Sequence, residues 1–162
     1  MYGRCRLELY LIVKWLHILS ATILFGTGIG IAFFKWITDR SGDVRAIRIS
    51  AERTVLADWI FTTPAVIIQL LSGLAMAHLA GCPVVTGWVS YSIFLYAVAG
   101  CCWLPVPWLQ VRMRAPSRLA DDAGAPLPPL YWAYARNWFW LGVPAFLSLL
   151  AVYWLMMARP VI

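Results

Sequence analysis

The chain has 162 residues, of which 62% are apolar and only 12% charged. A typical soluble domain has roughly 45–50% apolar and about 25% charged residues. A soluble protein of this composition would expose large apolar patches. An ordinary cytosolic enzyme, a disordered regulator and a nucleic-acid-binding module are therefore excluded, and the composition predicts an integral membrane protein.

The charged residues divide the chain. Twenty uncharged residues separate Lys14 from Lys35, fifty-three separate Asp58 from Arg112, and twenty-two separate Arg136 from Arg159. A helix needs ~20 apolar residues to cross a hydrocarbon core of ~30 Å. The first and third gaps hold one span each. The middle gap holds two, joined at Gly81, Cys82, Pro83 and Gly87, which are turn and helix-stop residues. None of the runs shows the alternation of a barrel strand. The expected fold is an all-α bundle of four antiparallel transmembrane helices in one domain. The spans lie near residues 9–34, 53–80, 88–110 and 131–157.

In the first span His17 and Lys14 lie on one face, with Ala21 and Gly28. Thr22, Gly26 and Gly30 lie on the other, a small-residue series that lets helices approach closely. Thr38–Ser50, after this span, reads as a short interfacial helix.

In the second span Asp58, Thr62, Gln69, Ser72, Gly73 and Met76 form a polar stripe within about 60° of Asp58 on a helical projection. The stripe is expected to face the bundle. His78 falls on the far side, at about 160°. In the third span Ser92, Tyr96, Gly100, Trp103, Pro107 and Gln110 share a face, and in the fourth Asn137, Pro144 and Ser148 do. Between these spans Ala115–Pro129, with four prolines, reads as a stiff loop.

Depth sorts the interior polar residues into two clusters. Lys14, His17, Ser72, Met76, Ser92 and Tyr96 form one, and Asp58, Thr62, Gln110, Arg136 and Asn137 the other. Nine Lys and Arg flank the first and third loops, against Arg4, Arg6, Lys14 and Arg159 on the other side. The Lys/Arg rule puts the nine-charge side in the cytoplasm and both termini outside, in a bacterial inner membrane. Trp36, Trp59, Trp108, Trp132 and Trp138 fall near the inner interface, and Trp15, Trp88 and Trp154 near the outer one. The net charge of +6 suits anionic lipid headgroups better than nucleic acid.

His17 is the principal candidate, because an ionisable side chain within a span costs at least ~2.5 kcal/mol. Its functional reading is an axial ligand to haem b. Lys14 reads as a lysine snorkelling to the outer interface, or as the partner of a haem propionate or an anionic substrate. Met76 reads as a core filler, or as the second axial ligand of a His/Met pair. Tyr96 would complete the pocket. The structural reading is a histidine hydrogen-bonded to Tyr96 or Ser72. Asp58 reads as a salt-bridge partner of Arg136 or Arg112, or as a proton-relay carboxylate. Gln69 reads as an interhelical hydrogen-bonding residue. Cys101 and Cys102 read as packing residues in the third span, and Cys5 and Cys82 as a candidate disulfide on the outer side.

The runs KWLHILSATILFGTGIGIAFF, ADWIFTTPAVIIQLLSGLAMA, LYAVAGCCWLPVPWLQVRMR and RNWFWLGVPAFLSLLAVYWLMM resemble a family of predicted bacterial integral membrane proteins, domain of unknown function 2269. The resemblance covers all four spans in order. It implies the class and no particular activity. LHILSATILFGTG is also distantly similar to the first helix of the HemJ-type protoporphyrinogen oxidases, which bind haem, and of the copper-resistance CopD-type proteins. Of their site residues only His17 carries over. The third and fourth helices here lack the internal lysine of the HemJ-type pattern. Three functions follow as expectations: a haem b redox protein, a non-catalytic accessory subunit or homodimer contacting a partner through Thr22, Gly26 and Gly30, and a small transporter with Asp58 and Gln69 on its path.

Overall fold

The computed structural model describes residues 2–81 and 87–160, with side chains from residue 6 onward. The elements are α1 (Tyr2–Ser41), α2 (Val44–Ala57), a π-helical turn (Asp58–Thr62), α3 (Thr63–Leu79), α4 (Trp88–Trp103), α5 (Pro105–Asp122) and α6 (Pro129–Ala158). There is no strand among the described residues. Four helical columns are long and apolar enough to cross a membrane: Arg6–Ser41, Val44–Leu79, Trp88–Asp122 and Pro129–Ala158. The Cys5–Cys82 pairing lies outside the described side chains.

The columns are longer than the apolar runs, because helix continues past the hydrocarbon at one end of the bundle. This end carries the loop cations and is called the basic end below. Here α1 stops at Gly42, whose φ of +71° closes the helix as a glycine readily does. Asp43 then caps α2, its Oδ1 accepting from Arg45 N at 3.0 Å and Ala46 N at 3.1 Å. The interfacial helix expected over Thr38–Ser50 is thus the end of α1, a two-residue turn and the start of α2.

The stiff loop expected over Ala115–Pro129 is corrected in the same way: helix runs to Asp122. Its reason is packing. The buried Met113, Ser117 and Ala120 recur at helical spacing, and the salt bridge Arg118–Glu52 (2.6 Å) joins α5 to α2. An ion pair between Arg48 and Asp121, at 3.0 Å but without hydrogen-bond geometry, does the same. The chain turns only at Gly124, where φ is +59°.

Two prolines explain the irregularities. Pro105 begins α5 and breaks the third column at Leu104. Pro64 has no N–H and crowds the carbonyl four residues earlier. The helix relieves this one turn upstream, where Thr63 N–H bonds Asp58 O across the wider π spacing.

Within the bundle α1 packs along α3, α4 along α6, α2 along α5, and α5 along α6. The close-packed core lies at the basic end, where Ile47, Val106, Leu109, Met113, Tyr131 and Trp138 meet. Elsewhere the large apolar side chains point outward, among them Ile29, Phe33, Leu71, Phe94, Trp140 and Leu147. An apolar exterior is what a lipid solvent allows, since burying it gains nothing over hydrocarbon contact.

Candidate functional site

His17 is buried at the contact of α1 with α3 and both its ring nitrogens are occupied. Ser72 Oγ lies 2.8 Å from Nδ1, and Gln69 Nε2 lies 3.0 Å from Nε2. Ser72 donates its own proton to Ile68 O at 2.5 Å, so it accepts from His17 Nδ1–H. Nε2 then accepts from the Gln69 amide N–H. The amide oxygen of Gln69 accepts from Ser20 Oγ at 2.6 Å. With a neutral imidazole both ring nitrogens are paired, one as donor and one as acceptor, as a buried polar group in lipid requires.

The sequence places these groups simply. His17 and Ser20 sit three residues apart on α1, and Gln69 and Ser72 three apart on α3, so each pair shares a helix face. Gly73 leaves room for the ring: a Cβ there would stand 3.2 Å from His17 Cε1.

The tetrad forms part of the wall of a pocket of about 140 Å3 between α1, α3, α4 and α6, at the end opposite the basic loops. His17, Gln69, Met76, Ser92 and Tyr96 line it, as does Arg159. The remaining lining is mainly apolar, with Leu74, Ile93 and Val152 among it. Tyr96 does not reach His17. Its hydroxyl donates to Val66 O at 2.7 Å and so ties α4 to α3.

Lys14, expected beside His17, is exposed and does not line this pocket. His78 is exposed on the far side of α3. Thr22 and Gly26 are exposed, and a Cβ at Gly26 or Gly30 would touch nothing within 4 Å. This small-residue face packs against no other helix among the described residues. Cys101 is exposed and Cys102 half-buried, both as free thiols.

A second buried polar group lies nearer the basic end. Asp58 is 5% exposed. Its Oδ1 accepts from Thr62 Oγ1 at 2.7 Å and its Oδ2 from Gln110 Nε2 at 2.6 Å. The expected salt bridge to Arg136 or Arg112 is absent among the described residues. Asn137, expected in the interior, is exposed, as is Arg136. The reason is the rotation of α6, which turns the larger Tyr131 and Trp138 inward instead.

The sequence reading missed a third group altogether. Lys35, taken there for an interfacial cation, is 2% exposed. Its Nζ meets Asp39 Oδ2 at 2.9 Å and Tyr131 Oη at 2.9 Å, and Tyr131 Oη donates to Asp39 Oδ1 at 2.7 Å. The ammonium also lies 5.1 Å from the Tyr131 ring centre and 5.8 Å from that of Trp138. The Lys35/Asp39 spacing of four was the available signal. Ser20 was missed as well, although it lies one turn from His17.

Neither a curated protein nor a solved structure matches the chain. The family described as "Predicted integral membrane protein (DUF2269)" matches residues 11–160. That stretch includes the His17 tetrad, the Asp58 group and the Lys35 group together. The chain belongs to this family of predicted integral membrane proteins.

Proposed function

We propose that this protein binds a membrane-soluble amphiphile, an apolar body with a hydrogen-bonding head, in the pocket walled partly by His17 and Gln69. One observation carries the reading: a buried, fully paired imidazole stands at the edge of a pocket that is otherwise mainly apolar. Small-molecule sites combine an apolar lining with a few placed polar groups in this way. His17 and Gln69 can exchange partners with a carbonyl or hydroxyl head, and Arg159 adds positive charge at the same pocket. The excess of Lys and Arg at the basic end supports a cytoplasmic placing of that end. The pocket then belongs to the outer half of a bacterial inner membrane, with both termini outside.

Haem b is a more specific occupant, and two observations bear on its fit. Met76 lines the same pocket as His17, so a His/Met donor set is present. Against it, both imidazole nitrogens already hold hydrogen bonds. As packed, these residues suit a hydrogen-bonded head group better than an iron porphyrin.

The test is native mass spectrometry of the purified protein, with an absorption spectrum of the same sample. A retained lipid-soluble molecule in the wild type, lost when Ala77→Trp fills the pocket, is the expected result. A wild type that retains no such molecule removes the reading. A Soret band that disappears in His17→Ala replaces it with haem binding.

A further inference from the structure

The Asp58 group carries more oxygen acceptors than donors. Its carboxylate has no cationic side chain within 4.0 Å among the described residues. It accepts from Thr62 and from the Gln110 amide N–H. Gln110 is itself 2% exposed, and its Oε1 is buried with no partner. A carboxylate without a counter-charge and an amide oxygen without a hydrogen-bond partner are therefore both buried in this group. Each alone is costly in a low-dielectric interior, and the charge is the costlier of the two.

The backbone at Asp58 is irregular as well. The π-helical turn begins at Asp58, and Pro64 denies an N–H to a carbonyl one turn upstream. Turns of this type recur at functional sites.

We propose that Asp58, Thr62 and Gln110 form a binding site for one small monovalent cation of the sodium type. Asp58 supplies the single negative charge, and Gln110 Oε1 and Thr62 Oγ1 supply neutral oxygens. Thr62 Oγ1 donates its proton to Asp58 and keeps lone pairs for the ion. A divalent ion is disfavoured because hard divalent cations draw on several carboxylates. No cluster of three His, Cys, Asp or Glu residues suited to a metal occurs among the described residues.

A proton on Asp58 is the competing way to remove the charge, and it satisfies the group less well. With Gln110 Nε2 facing the carboxylate, that proton cannot reach Oε1. Turning the amide over would bring Oε1 to the proton but strand the two N–H donors. A cation satisfies the carboxylate and Oε1 together, with the amide as it stands.

The experiment measures the thermal unfolding midpoint of the full-length protein in detergent. Sodium chloride replaces choline chloride at constant total concentration. A ligand that binds only the folded state raises the midpoint saturably. The wild type is expected to show that rise. Asp58→Asn is expected to lose it. Gln110→Met keeps the length of the side chain but removes both Oε1 and the Nε2–H that bonds Asp58, and should raise the half-saturating sodium concentration by about tenfold, the equivalent of one lost polar contact. Should Asp58→Asn fail to fold, Gln110→Met carries the comparison alone. Equal midpoints for the wild type in sodium and choline overturn the proposal, as does an undiminished rise in Gln110→Met. So does an Asp58→Asn variant that melts above the wild type in choline while the wild type ignores sodium, which would assign the charge to a proton. Retention of an amphiphile in the pocket is a separate readout, so the two proposals fail separately.

Discussion

His17 Nε2 and Gln69 Nε2 face each other at 3.0 Å across the contact between α1 and α3. This bond fixes the proton on His17 Nδ1, because an amide N–H can only donate. It also aligns the amide oxygen with Ser20, so that one face of each helix reads the other through three consecutive hydrogen bonds.

Removing either side chain should therefore leave a polar atom of the other unpaired. Gln69→Leu leaves His17 Nε2 and Ser20 Oγ without their interhelical partner and should destabilise the protein by about 1 kcal/mol, the scale of interhelical hydrogen bonds in membranes. His17→Phe should cost a similar amount by stranding the Gln69 amide. The double variant should lose less than the two singles together, since apolar groups in both places leave fewer polar atoms unpaired. Unfolding midpoints of the four proteins in one detergent decide this. Strict additivity would mean that the two side chains do not interact.

Gly73 offers a sharper test of the same contact. A Cβ at this position stands 3.2 Å from His17 Cε1, a distance that a small shift of the ring can accommodate. Alanine gains about 1 kcal/mol of helix propensity over glycine. Gly73→Ala should then be close to neutral. Gly73→Val adds two more carbons against the ring and should cost about 1–3 kcal/mol, as overpacking does. The same valine should reduce amphiphile retention, because the His17 side of the pocket moves with the ring. Melting curves and mass spectra of the two variants check both statements.

The spans were legible in the sequence because a bilayer demands a long uncharged run, and three charge-free gaps stand out among so few charges. The stripe from Asp58 to Met76 was legible for a related reason: polar side chains at helical spacing in an apolar run have nowhere to go but inward. The extension of α5 to Asp122 was not, because Pro116 and the charges around it describe a loop as well as an amphipathic helix. Only the packing against α2 separates the two. The rotation of α6 was hidden too. Asn137 and Trp138 are adjacent, and which of them faces inward depends on the volume that α2 and α5 leave open. Lys35 carried the least signal, since a lysine at a span end ordinarily snorkels to water. Its burial needs Tyr131, ninety-six positions away.

The Lys35 group should respond strongly to the loss of its anion. Asp39→Asn leaves a buried ammonium with only neutral partners, and breaking one side of a buried pair costs about 3–5 kcal/mol. Lys35→Met with Asp39→Leu removes both charges and should recover most of that loss. Tyr131→Phe removes one hydroxyl that bonds both charges and should cost about 1–3 kcal/mol. Chemical or thermal unfolding of the three variants orders them. A double variant no more stable than Asp39→Asn would show that the ion pair itself, and not the unpaired cation, sets the stability here.

The face formed by Thr22, Gly26 and Gly30 should be silent in the folded chain. Thr22 Oγ1 is satisfied by its own helix, donating to Ile18 O at 2.9 Å, and a side chain at Gly26 or Gly30 would meet no atom of this protein within 4 Å. Leucine at either glycine then gains helix propensity of up to about 1 kcal/mol and loses no packing. Gly26→Leu and Gly30→Leu should melt at or above the wild-type midpoint as isolated chains. The same variants report on assembly, because small residues spaced four apart allow close helix contacts that a leucine blocks. If a second copy or a partner subunit sits on this face, light-scattering mass in mild detergent falls in the variants while the midpoint of the monomeric chain does not. A midpoint that drops in a preparation already monomeric would instead mean that another part of this chain covers the two glycines.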